Sequence, residues 1–212
     1  MLIATPATQA REKSWLQSLR ELILKNEALA PAGTRTEFSK GDKSPTKLLC
    51  LISPRIQPSR SATSQEPPTV VVALPQPTLL VASQLAEWQV ADEQGNPLAS
   101  TLARDDQPIT GAIALPALQP QQTLNLRLRP FEAGGDDYVL LKLQAASATE
   151  QARAQALLQD RRDRMNVVQE LLQQGQQNLA MELVAAPLRS PSPRLEELRQ
   201  LLMREGCRPV AS

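Results

Sequence analysis

The segment "TLNLRLRP", Thr123 to Pro130, sets the strongest constraint on this chain. Leu124, Leu126 and Leu128 fall on one side, and Asn125, Arg127 and Arg129 on the other. A period of two belongs to a strand with one dry face and one wet face. A lone strand buries nothing, so the segment demands partners. The neighbouring sequence supplies them. "TVVVALP" is β-branched and short. "TLLVASQLAEWQVAD" alternates late, which predicts Ala86, Trp88 and Val90 on one face and Glu87 and Gln89 on the other. "PLASTLA" follows a turn. "ITGAIALP" aligns Ile109, Ile113 and Leu115, and "DYVLLKLQA" aligns Val139, Leu141 and Leu143. Six or seven strands between turn clusters predict an antiparallel β-sandwich, immunoglobulin-like or related, over residues 69–146.

The sharpest turn is in "EWQVADEQGNPLAS". Gln94, Gly95 and Asn96 tolerate the left-handed backbone of a tight hairpin. Pro97 lacks an N–H, which places the second strand beyond it or at an edge. Leu98 is the expected cross-strand neighbour of Trp88 and Val90. The Asp92–Glu93 pair then belongs to structure.

Helical periodicity flanks the strands. Trp15, Leu19, Leu22, Ile23 and Leu29 recur at helical spacing between Thr8 and Ala30, predicting one amphipathic N-terminal helix within residues 1–33. Residues 34–68 are polar and rich in Pro, Ser and Thr; they predict a long loop holding one short strand, "KLLCLIS". From Ser147 a helical stripe runs through Leu157, Leu158, Met165, Val168, Leu171 and Leu172. Ser147 or Thr149 offers a capping box with Glu150 or Gln151, and Gly175 is the expected break. "QQNLAMELVAAP" and "SPRLEELRQLLMREG" predict two more helices, the last with Ser192 at its N-cap, Pro193 at N1 and Gly206 at C′. The expected class is therefore α+β: an N-terminal helix, a loop, the sandwich, and a C-terminal helical hairpin over 147–206.

Composition removes whole chemistries. The 212-residue chain has no histidine, which excludes Ser–His–Asp and Cys–His relays and His-based metal sites. Its two cysteines, Cys50 and Cys207, have no CxxC partner; two thiols or one disulfide are both open. A net charge of +1 provides no field for nucleic acid, and five aromatics are too few for a base-stacking surface. No apolar run is long enough for a membrane span. The N-terminus lacks a normal secretory signal, which favours the cytoplasm, with export from a wrongly assigned start as the alternative. No cofactor is expected, since no phosphate loop or dinucleotide motif occurs.

Three acidic pairs lie in predicted turns. Asp105, Asp106, Asp136 and Asp137 fall in turns at one end of the drawn sheet, where they could serve as calcium loops. Solvated turn carboxylates are the plainer expectation, and the acid–base chemistry of a glycosidase is disfavoured by the lack of aromatic platforms. Arg161, Arg162 and Arg164 are interleaved with Asp160 and Asp163, as on a solvated helix face. Arg127 and Arg129 form a small outward basic stripe.

Three segments carry a family resemblance: "GTRTEFSKGD…LLCLISPR" (Gly33 to Arg55), "WQVADEQGNPL" (Trp88 to Leu98) and "NLAMELVAAPLRSPSPRLEELRQLLMREGC" (Asn178 to Cys207). In this order they resemble a cyanobacterial family of unknown function, a β-domain followed by a helical segment. The chain departs from that pattern in having few aromatics, no second cysteine near Arg127–Phe131 and no export signal. The resemblance implies architecture and no activity. The expected function is a non-enzymatic protein-interaction or structural module with a protein partner. The alternative is a calcium- or carbohydrate-binding β-sandwich module.

Overall fold

The computed structural model describes residues 49–55, 67–104, 106–131, 133, 138–160, 162–188 and 192–205. The expected N-terminal helix over Thr8–Ala30, most of the expected loop, and Gly206 lie outside them. Seven strands are described: β1 (Leu51–Ser53), β2 (Thr69–Val72), β3 (Thr78–Ala91), β4 (Pro97–Leu102), β5 (Ile109–Ala114), β6 (Thr123–Pro130) and β7 (Val139–Ala145). Four helices follow: α1 (Ala148–Gln159), α2 (Arg164–Gln173), α3 (Gln177–Ala185) and α4 (Pro193–Glu205). The chain is α+β, as expected.

The strands join one sheet that curls into a half-barrel. All described pairings are antiparallel except that of β2 with β7, which is parallel and makes the sheet mixed. Parallel neighbours need a long crossover, and the hairpin-to-hairpin order assumed from turn spacing does not register one. Here everything from β3 to β6 intervenes between the two strands.

β3 organises the sheet. Its first half pairs with β1 on one flank and β5 on the other; its second half pairs with β6 and β4. Leu79, Val81 and Leu85 face the same core as Trp88 and Val90, so the inward positions change from odd to even. The pairing with β6 shows how: Leu85 opposes Pro130 and Glu87 opposes Arg129, two steps on β3 against one on β6. That extra residue is a β-bulge, and it turns the strand. It also gives Leu85, rather than the expected Ala86, a place in this core beside Trp88 and Val90.

Two cores result. One lies within the curl, where Leu124, Leu126 and Leu128 meet Leu141 and Leu143 with almost no exposure. The other lies on the opposite face of the sheet, where Ile52, Leu74 and Leu80 meet Val168, Leu183 and Leu198 from the helices. Consecutive residues Leu79, Leu80 and Val81 thus serve different cores. α3 rests on β1, β2 and β3, and α4 reaches β3.

The long expected stripe divides into α1 and α2. Asp160 closes the first, and the Asp163 carboxylate accepts the Met165 N–H at 3.1 Å to open the second. Aspartate side chains offer the backbone an alternative to helix, which a count of apolar spacings overlooks. Ser147 forms the expected capping box with Glu150. Of Leu195, Leu198, Leu201 and Leu202, whose spacing predicts an inward stripe, all but the partly buried Leu201 are buried. Cys50 is disulfide-bonded, so it is not a free thiol. The chain's other cysteine, Cys207, lies outside the described residues.

Candidate functional site

Among the described residues, the helices cover only part of the sheet's outer surface. The remainder, across β4, the second half of β3, β6 and β7, carries an ordered polar array. Glu87 on β3 opposes Arg129 on β6, and Gln89 opposes Arg127. Arg129 contacts the Glu87 carboxylate at 3.2 Å. The Tyr138 hydroxyl donates to the same oxygen at 2.9 Å. The Arg127 guanidinium lies over the Tyr138 ring, 4.2 Å from its centre, and that of Arg129 lies 5.9 Å away. Such stacking orders a guanidinium and leaves its edge donors available. The Glu87 hydrogen bond is the main reason that the Tyr138 phenol is held above its ordinary value, with burial adding to it. Exposed Leu98, Leu102 and Leu140 border the array.

Alternation alone placed Arg127 and Arg129 outward. The register between β3 and β6, which are far apart in sequence, supplies Glu87, and that between β6 and β7, where Leu128 opposes Val139, brings in the adjoining Tyr138. Leu98 is corrected by the register of β3 with β4: Val90 opposes Ala99 and Ala91 opposes Pro97, so a bulge intervenes and Leu98 is 49% exposed.

The hairpin turn is structural, as expected. Asp92 accepts from the Asn96 N–H and from the Asn96 side-chain amide, each at 2.8 Å, while Gly95 takes φ of 86°. The Asn96 side-chain contact is the main cause of the lowered Asp92 pKa.

Of the four carboxylates assigned to calcium loops, Asp106 is described and exposed, within the Arg104–Gln107 bridge. Asp105, Asp136 and Asp137 lie outside the described residues. The flanks of both loops are anchored on β3: the Ala103 N–H donates to Ala86 and the Phe131 N–H to Gln84. They leave from opposite flanks of that strand, about 10 Å apart by strand spacing. Among the described residues no group of three or more possible metal ligands is found.

The arginine run is engaged internally. Arg162 pairs with Asp160 at 2.8 Å and with Glu170 at 3.0 Å. Arg164 donates to the carbonyls of Ala186 and Pro187 just past α3, and Arg199 donates to those of Val184 and Ala186. Two guanidinium groups thereby satisfy the negative end of α3. Arg161 lies outside the described residues.

Glu182 was not marked by any sequence pattern. It is 3% exposed on α3, beside a cleft of about 330 Å³ lined in part by Val71, Ala73, Glu150 and Arg153. Its carboxylate accepts the Ala73 N–H at 2.9 Å and the Leu74 N–H at 2.8 Å, directly after β2 ends. Burial pushes its pKa up to about 7, against the opposing pull of those two N–H groups. Accepting from two backbone donors just past β2, Glu182 latches helix to sheet.

No family model, curated protein or solved structure matches this chain.

Proposed function

We propose that this chain is a non-enzymatic protein-interaction module that binds through the uncovered part of its sheet. The observation that carries the reading is the bare face itself, where Arg127 stacks on Tyr138 at 4.2 Å with exposed leucines at the border. Arginine and tyrosine are enriched at protein interfaces, and apolar residues beside them give a partner area to bury. Arg127, Arg129 and Lys142 outnumber Glu87 among the charges there, which favours a partner with an acidic segment. The bulged β3, shared by two half-sheets, is how sandwich corners are built, so we place the architecture near the sandwiches. The likeness to the cyanobacterial family belongs to the same proposal. The disulfide at Cys50 favours an oxidising compartment over the cytoplasm.

Affinity capture from native extract tests the reading, with the full chain compared with a double variant, Arg127→Glu with Tyr138→Ala. Both sites lie on the bare face, so the two cores remain intact. A protein retained by the parent and lost by the variant is expected. Identical captures, or none from the parent, would overturn it.

A further inference from the structure

The outer edge of β2 opens onto the cleft beside Glu182. Among the described residues β2 pairs only with β7, in unbroken register from Thr69 against Lys142 to Val72 against Ala145. The Lys142 N–H donates to Pro68 and the Ala146 N–H to Val72, so main-chain groups at even positions point toward β7. By alternation those of Thr69, Val71 and Ala73 point away from the sheet. Ala73 bears this out, since its N–H reaches Glu182 at 2.9 Å.

This edge is closed at both ends and open between them. Pro67 and Pro68 have no N–H to offer at its start, and Glu182 occupies the Ala73 donor at its finish. Val71 lies inside that window with its side chain 51% exposed. Val70 and Val72 face the core within the curl, so Val71 and Ala73 face the helical side, where both line the cleft. Glu150 and Arg153 of α1 and Leu179 and Glu182 of α3 form other parts of its wall. An extended peptide adds to such an edge by main-chain hydrogen bonds, and the adjoining cleft selects its side chain.

Charge decides which side chain fits. The Glu182 carboxylate meets backbone N–H groups and no cation among the described residues. Arg153 donates to Gln176 at 2.9 Å, and Glu150 accepts the Ser147 N–H at 3.0 Å. Two carboxylates against one guanidinium leave the cleft wall negative. A buried carboxylate is best compensated by a group that brings positive charge and hydrogen-bond donors together.

We infer that an extended peptide carrying a lysine or arginine adds antiparallel to β2, with its basic side chain in the cleft toward Glu182. This goes beyond the reading of the bare face, which takes an acidic partner, and does not rest on it. The peptide residue opposite Val71 exchanges both main-chain hydrogen bonds with it. Directly opposed residues share a face of the sheet, so that residue's side chain stands beside Val71 at the cleft. A window this short makes a small interface, so binding is weak and depends on the basic group.

Fluorescence polarisation of the full chain with labelled, acetylated pentapeptides reads the association. The peptides are built of threonine and valine and differ only in the central residue. At about pH 8 Glu182, which titrates at about 7, is ionised. Central lysine or arginine should bind with a dissociation constant below about 1 mM, and central norleucine about tenfold or more weakly. Glu182→Gln should abolish the advantage of lysine over norleucine. Val71→Pro removes the outward N–H, spares the ladder to β7 and should weaken every peptide. Circular dichroism of each variant checks that the fold is retained. A lysine peptide that does not bind, or that binds no better than norleucine, overturns the inference. So does a lysine preference that survives Glu182→Gln, or binding that Val71→Pro leaves unchanged. Arg127→Glu with Tyr138→Ala should bind the lysine peptide as the parent does; loss there would place the peptide on the bare face and overturn the inference as well. Failure of the acidic capture with peptide binding intact would sink only the face reading.

Discussion

Glu182 is where burial and hydrogen bonding act against each other, and the balance is measurable. Replacing it with Ala removes the acceptor for the Ala73 and Leu74 N–H groups. An orphaned buried donor costs about 1–3 kcal/mol, so Glu182→Ala should lose about 2–6 kcal/mol. Glu182→Gln keeps the shape and one acceptor oxygen but has no proton to exchange. It is therefore the reference for pH.

The folded carboxyl titrates at about 7 and the unfolded one near its ordinary value of 4.5. Between those values the folded state holds more protons, so stability falls as pH rises. The gap corresponds to about 3 kcal/mol. It is present in full below the unfolded value and lost as pH passes through about 7. The chain has no histidine to titrate in that window. The nearby carboxylate on the cleft wall, Glu150, is shifted the other way, mainly by Ser147, so it titrates below the window. Urea unfolding of the parent and Glu182→Gln at pH 5 and pH 8 isolates the effect. The parent's advantage over Gln should shrink by about 2.5 kcal/mol at the higher pH, since pH 5 already lies just above the unfolded value. An advantage that is constant, or that grows with pH, would refute the reasoning. It would mean that the two N–H donors, rather than burial, set the ionisation.

Three further outcomes follow from single contacts. Tyr138 is the chain's one tyrosine, so ultraviolet titration reads it alone; its midpoint should lie above 10.0 and move down in Glu87→Gln. Gly111 holds φ of 83° within β5 with open space around it, so Gly111→Ala should cost about 1–2 kcal/mol in chemical unfolding from backbone strain alone. Ser147→Ala removes the N-cap of α1 and its half of the capping box and should cost about 1 kcal/mol, read as a lower thermal midpoint.

What could be read from sequence was local. Alternation located β6 and β7 and their inward leucines, because each side chain's face depends only on its own parity. The turn at Asp92–Asn96 was legible because its side-chain contacts span only four residues. Pairings between distant segments were not. Nothing in "TVVV" announces a parallel partner in β7, and nothing in "NLAMELVAAP" marks Glu182 as the acceptor for a strand end more than a hundred residues earlier. Whether the acidic loops meet depends in the same way on strand order, which turn spacing does not determine; Asp105, Asp136 and Asp137 lie outside the described residues.

One long-range feature was nonetheless written in a single segment. β3 begins "TLLVA", apolar on both faces, and ends "EWQVA", apolar on one. A strand buried on both sides reads as a continuous run, and a half-exposed strand alternates. The change within β3 therefore marks where the helical layer stops. Leu80 faces the helices, whereas Glu87 and Gln89 face water on the array. The bulge falls between the two halves, so the same stretch that re-aims Trp88 into the core also separates the covered surface from the bare one. The face assigned to binding is thus a consequence of β3: a helix laid over its second half would have to bury Glu87 and Arg129 together, at a desolvation cost that their ion pair does not reliably repay.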